Sequence, residues 1–225
     1  MSESDDTPLD AVRPKLVETK QRWAAEGRLL TDKPVKPHRL PDQRLPPGQH
    51  LVQDWPVLDL GVQPDVPPER WRLQIDGLVD RPIALDWAAF KGQPRFHDVS
   101  DMHCVTSWSR YDNAWEGVGA KHLLALVQPK PEARFIVFHS YDGYTTNLPL
   151  AEFDRDDALL ADSWQGEPLT RVHGGPVRAI VPQLYLWKSA KWINRIEFIA
   201  ADRSGFWEVR GYHDHGDPWT EERYS

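Results

Sequence analysis

Cys104 is the only cysteine among 225 residues, and it sits in the stretch DMHCVTSWSRYDNAWEG, residues 101–117. A lone thiolate can ligate a soft or high-valent metal when a cofactor supplies the remaining ligands. It can act as a nucleophile only with a general base in reach. His103 is adjacent in sequence, but neighbouring side chains of an extended chain point to opposite faces, which makes it a poor base for Cys104. The thiol can also simply fill the core, as free cysteines commonly do. Zinc is disfavoured, because no CxxC partner and no HExxH pattern is present. Residue types alone leave the choice open.

A second set of reactive residues lies in HGGPVRAIVPQLYLWKSAKW, residues 173–192. His173 precedes two glycines, where backbone can approach a ligand closely. Arg178 heads an apolar strand, and Lys188 and Lys191 flank Ser189 and Ala190. Cations, a hydroxyl and free backbone amides at this density suit a phosphate or another anion. The plainer alternative is a solvated basic turn, against which the apolar setting of Arg178 argues. The third set, GFWEVRGYHDHGDPW (205–219), crowds Trp207, Tyr212, His213, His215 and Trp219 together. The H-x-H spacing reads more readily as loop chemistry than as a metal site, while Tyr212 is placed to donate a proton or steady an oxygen. YDGYTTNLPL (141–150) is a further polar turn.

These segments need a scaffold, and the remaining sequence describes one. Composition is that of an ordinary globular chain, with 40% apolar and 27% charged residues. Eleven tryptophans against two methionines point to rigid, deep pockets. The net charge of −7 argues against nucleic acid or an anionic membrane surface as partner. One cysteine allows no internal disulfide and no all-cysteine iron–sulfur cluster. The acidic N-terminus lacks an export signal and no run reaches ~18 apolar residues, so a cytoplasmic location is expected.

The spacing predicts a helix within 16–30 and an extended, proline-rich arm over 32–68. Trp71, Leu73 and Ile75 alternate with polar residues as a half-buried strand. Helices are expected over 84–91, 119–127 and 150–161, and strands within 133–143, 176–185 and 192–201. The expected organisation is a partly disordered arm, 1–50, followed by one domain, 51–225, of strand-rich α+β class.

In their order along the chain, the three segments resemble the molybdopterin-binding domain of the sulfite oxidase family, and most closely its small bacterial haem-free members. WRLQIDGLVDRPIALDW precedes the cysteine segment, WEGV follows it, and GEPLTRVHGGPVRAIVP…KSAKW is similar to the family's G-x-P-L, H-G-x-P-V-R and K-W signature. The resemblance spans roughly residues 50–220. It implies a sulfite oxidase-type fold and a molybdenum–molybdopterin cofactor, with Cys104 as the metal's thiolate ligand. It also implies cofactor contacts from Ser140, His173, Arg178, Ser189, Ala190 and Lys191, and an active-site tyrosine at Tyr212. DWPVLDLG (54–61) falls where the family wraps the pterin.

Two arginines that such enzymes use to hold a dianionic substrate have no counterpart at their expected places; Ser109 stands at one of them, with Arg110 beside it. The implied activity is two-electron oxygen-atom transfer on a small substrate of the sulfite, sulfoxide or N-oxide class. Electrons are then exchanged with a separate, unidentified partner. Two alternatives come from other classes: a molybdopterin-binding or carrier protein without turnover, and a cysteine hydrolase.

Overall fold

The computed structural model describes residues 13–26 and 43–225. Fifteen regular elements follow along the chain. They are α1 Pro14–Glu26, β1 His50–Leu51, β2 Arg72–Gly77, β3 Ile83–Asp86, α2 Trp87–Lys91, β4 Phe96–His103, β5 Trp108–Gly119, α3 Ala120–Val127, β6 Phe135–Ser140, β7 Thr145–Pro149, α4 Leu150–Phe153, β8 Leu159–Trp164, β9 Glu167–Pro168, β10 Arg178–Ile180 and β11 Ile193–Ile199. Eleven strands against four helices, three of the helices short, make an α+β fold.

The strands form two sheets. In one, the long β5 pairs with β1, β4 and β8, and β8 pairs in turn with β9 and β10. The other runs β3-β2-β11-β6-β7, with β2 and β11 parallel and its remaining pairs antiparallel. β2 carries the expected alternation: Leu73 and Ile75 are buried while Arg72 and Gln74 face solvent. Trp71, just before it, is fully buried and donates its indole N–H to the Ile193 carbonyl at 3.0 Å.

The structure differs from the sequence reading at several elements. Residues 84–91 are a strand end followed by a helix: Ala84 to Asp86 pair with β2, and the Asp86 carboxylate then caps α2 by accepting from the Ala89 N–H at 2.8 Å. In 150–161 only Leu150–Phe153 is helical, and Leu159–Trp164 is β8. β8 lies between β5 and β10 and is buried along Leu159–Asp162, so its opening, Ala158 to Ala161, reads as a short apolar run in which helical and strand spacing look alike. β4 and β5, the strands bracketing Cys104, escaped the reading. Their registers shift at Ser100/Met102 and at Glu116/Gly117, which breaks the period-two pattern.

The expected N-terminal helix is present as α1, with Pro14 at its first turn. Residues 27–30 of that expectation, and the arm over 32–42, lie outside the described residues. The start of α1 is tied to the 54–61 segment, since Arg13 N–H donates to the Leu60 carbonyl at 2.9 Å, and Val17, Lys20 and Ala24 face inward.

The paired glycines of the H-G-G-P segment have a packing reason. Gly174 holds φ +102° against Lys191, and a Cβ on Gly175 would lie 2.1 Å from the Leu169 carbonyl oxygen. The backbone thus approaches other parts of the protein here, where the sequence reading had a ligand. Gly175→Ala is expected to cost about 1–3 kcal/mol, the overpacking range, seen as a lower urea midpoint at unchanged slope.

Candidate cofactor site

Cys104 closes the turn between β4 and β5. Its N–H donates to the Trp108 carbonyl at 2.8 Å, and its own carbonyl accepts from the Ser107 N–H at 3.0 Å. Ser107 takes the left-handed conformation, φ 73°, that so tight a reversal requires. The side chains then part company. Cys104 Sγ lies 3.2 Å from Thr106 Oγ1 and lines a cavity of about 110 Å³. His103 Nδ1 lies 2.9 Å from Ser109 Oγ, and its ring faces a separate, polar cavity of about 510 Å³ on the other side. No histidine among the described residues pairs with the thiol, and burial pushes its pKa up, which disfavours a hydrolase nucleophile.

Facing Cys104 across the smaller cavity are Arg178, Ser189, Ala190 and Lys191. β10, at the end of its sheet, delivers Arg178 opposite Ala161 of β8. The guanidinium is 1% exposed and gives its N–H groups to backbone: Nη1 to the His173 carbonyl at 2.9 Å and Nη2 to the Ser189 carbonyl at 2.8 Å. Those bonds tie the H-G-G-P turn to the S-A-K turn. Ser189 Oγ accepts from the Val181 N–H at 3.0 Å, and the Ala190 carbonyl accepts from Ala179 at 2.8 Å. Lys191 Nζ donates to the Val172 carbonyl at 2.8 Å. Burial lowers the Arg178 pKa to about 9; burial and then the Arg178 charge lower that of Lys191 to about 8. Among the described residues no carboxylate forms an ion pair with either.

The segment 54–61 supplies another wall through Trp55, Leu58, Asp59 and Leu60. Trp55 stacks flat on the His173 imidazole, 3.9 Å between centroids, and the Arg178 guanidinium lies 5.2 Å from its ring. Burial, then the charges of Arg178 and Lys191, hold the His173 pKa down at about 4, so the ring is neutral at pH 7. His173 itself is not among the residues lining the cavity; it acts on the wall through Trp55 and through its carbonyl. Ser140 is likewise buried behind it, with a hydroxyl that finds no partner among the described residues. The residue of that turn that reaches the cavity is Asp142, whose carboxyl burial raises to about 6.

Tyr212 lines the cavity on the aromatic side. Its ring stacks on Trp207 at 5.0 Å and meets Trp187 edge-on at 5.2 Å. Burial and the neighbouring Tyr224 hold its phenol well above the usual range, so it stays protonated. His213 and His215 do not reach this cavity. His213 Nδ1 accepts the backbone N–H of His215 at 3.1 Å, and His215 bridges Glu222 at 2.8 Å and Glu152 at 3.2 Å. The H-x-H spacing is turn chemistry, as the sequence reading preferred.

Lys188 belongs to a different structure from the one proposed for it. Its ammonium is fully buried away from the cavity, paired with Glu208 at 2.7 Å and donating to the Asn147 carbonyl at 2.7 Å. Glu208 also accepts from Thr146 at 2.7 Å and from the Trp187 indole at 2.9 Å. This buried pair fixes the segment that carries Tyr212. Glu208→Gln is expected to lose about 3–5 kcal/mol, the range for breaking a buried pair from one side, read from chemical denaturation.

The residue set fits a molybdenum–pterin cofactor. Two desolvated cations that form no ion pair, with Asp59 and Asp142 acting on Lys191 only at longer range, suit an anion such as the pterin's phosphate. Flat aromatic walls suit a ring system, and a soft thiol stands at the same cavity. The sequence reading set the segment 54–61 at the pterin without singling out Trp55, and it missed Asp142 and Lys20. That lysine lies on the buried stripe of α1 at the i, i+3, i+7 positions Val17, Lys20 and Ala24, which the sequence does display.

Comparison with known proteins bears on the family. Residues 60–207 match the family described as the oxidoreductase molybdopterin binding domain. The chain is 45% identical over 186 residues to the oxidoreductase YuiH of Bacillus subtilis, covering 81% of this chain and 92% of that protein. It is 29% identical over 165 residues to the catalytic subunit MsrP of a protein-methionine-sulfoxide reductase from Ralstonia nicotianae, and spans 50% of that protein's length. In the solved structures, the sulfane dehydrogenase SoxCD of Paracoccus pantotrophus superimposes with a TM-score of 0.60 over 64% of this chain and 42% of its own, at 22% identity, which speaks to fold alone. The chain therefore belongs to the family of molybdopterin-dependent oxidoreductases with the sulfite oxidase type of domain.

Proposed function

We propose that this chain binds a molybdenum–molybdopterin cofactor and performs two-electron oxygen-atom transfer on a small substrate of the sulfite, sulfoxide or N-oxide class. One observation carries the reading: Cys104 and the Arg178–Lys191 pair, 74 and more residues apart in sequence, line one cavity. When bound, the cofactor supplies the two-electron redox change and the exchangeable oxygen. The chain's own residues do the rest. Cys104 ligates the metal. Arg178, Lys191 and the Ser189–Ala190 turn hold the phosphate end, with His173 setting the tilt of Trp55 against the ring system. Tyr212, kept protonated by burial, offers a hydrogen bond to the oxygen being transferred.

The methionine-sulfoxide reductases among the relatives place a sulfoxide among the candidates of that class, beside the anionic sulfite. A single cysteine leaves no set of thiolates for an iron–sulfur cluster in this chain, so electrons are exchanged with a separate partner. The test is metal analysis of protein expressed in a host that makes the pterin, coupled to redox titration with artificial electron donors. Molybdenum near one atom per chain that cycles under reductant is expected. A chain that folds in such a host without molybdenum overturns the reading, and bound molybdenum that never cycles replaces it with a carrier.

A further inference from the structure

Helix α1 brings a third cation to the cavity. Lys20 is 9% exposed, lines the cavity with Cys104, and holds its ammonium 5.4 Å from the centre of the Trp207 ring. Among the described residues it has no hydrogen bond and no ion pair. A desolvated ammonium left without a counter-charge is costly unless an anion meets it. The aromatic walls beside it, Trp207, Trp187 and Tyr212, offer none, and the group whose charge acts on it is Cys104, which the cofactor reading assigns to the metal. Arg110, the nearest arginine in sequence to the cavity's cysteine, is committed elsewhere: it donates to the Gln53 carbonyl at 3.0 Å and to Asn113, and lies over Trp164.

We propose that Lys20 is the substrate-facing cation of this enzyme, and that it makes the site select substrates bearing a negatively charged oxygen over neutral ones. The proposal rests on the cofactor reading above, because the cofactor's phosphate is what occupies Arg178 and Lys191 and leaves Lys20 for the substrate. The position suits the role. Trp207, which stacks on Tyr212, also lies beneath the ammonium, so the charge and the phenol share one aromatic floor on the thiol's side of the cavity. Lowering of the Lys20 pKa by burial is opposed by the Cys104 charge.

The experiment uses molybdenum-loaded enzyme and two non-reacting probes of similar shape, sulfate and dimethyl sulfone, titrated calorimetrically at constant ionic strength. The parent is expected to bind sulfate in preference to the sulfone. Lys20→Met is expected to weaken sulfate by about tenfold or more, as loss of a charged hydrogen bond implies, and to leave the sulfone alone. Lys20→Arg is expected to restore sulfate binding. Lys20→Gln, which keeps a donor without the charge, serves if the methionine variant does not fold and is expected to behave like it. Equal sulfate binding in parent and uncharged variants, or a parent indifferent to charge, overturns the proposal. Molybdenum content of the same samples separates the two readings. A parent without metal overturns the cofactor assignment and this proposal with it, whereas full metal with unchanged sulfate binding overturns this one alone.

Discussion

Cys104→Ser is expected to emerge from a pterin-producing host folded, nearly free of molybdenum, and slower in turnover by at least about 100-fold. Loss of a supporting residue around a metal already costs about 10–100-fold, and here the protein's own ligand is removed. A serine hydroxyl stays protonated where a thiolate would bind, so the metal has no anion to replace. The fold itself has little reason to suffer. Serine is of similar size, and its hydroxyl can keep the contact that the thiol makes with Thr106 at 3.2 Å. Stability of the cofactor-free variant should therefore stay within about 1 kcal/mol of the parent, the scale of one hydrogen bond. Elemental analysis, turnover and a denaturation curve on one preparation separate ligand loss from unfolding. A serine variant that keeps both metal and turnover would falsify the ligand assignment.

Arg178→Met is expected to uncouple stability from the cofactor. Truncating one partner of a buried charge pair costs about 2–5 kcal/mol of binding, so pterin retention should fall by about 100-fold, toward the low end of that range. Binding at 100 times its dissociation constant stabilises a folded protein by about 2.7 kcal/mol. The parent should accordingly melt well above its cofactor-free form, and the variant should lose most of that gap. The cofactor-free form responds through two opposed effects. Methionine removes the donors that satisfy the His173 and Ser189 carbonyls, but it also removes a fully desolvated cation that no carboxylate meets. Melting curves of loaded and unloaded protein, with pterin quantified as its oxidised fluorescent product, check this. An unchanged gap would remove Arg178 from the cofactor's contacts.

Much of the site was legible before any coordinates. Cys104, Arg178, Ser189, Ala190, Lys191 and Tyr212 were singled out in the sequence, and all six line one cavity. The chemical signals, a solitary thiol, a basic residue inside an apolar strand and glycines beside a histidine, leave the choice open, and the motif resemblance is what assigns the roles. Lys188 was the instructive failure. It stands within three residues of Lys191 and has the same charge, yet it sits on a 3-10 turn, Leu186–Lys188, that turns its side chain toward Glu208 instead. Short irregular turns have no period to extrapolate, so neither sequence spacing nor charge shows which side of the wall a residue takes.

The sequence by itself determined the fold class through its patterns of apolar alternation, the family through the motifs that resemble it, and six of the residues that meet at the cavity. Tertiary structure alone decided the partners. It set Trp55 on His173, gave Lys188 to Glu208, put Ser140 behind the wall with Asp142 in front, and carried Lys20 from the far N-terminal helix to the thiol. Burial and counter-charge are properties of assembled neighbours, often 50 or more positions apart in this chain, and they decide whether a cation is structural or free to meet a ligand.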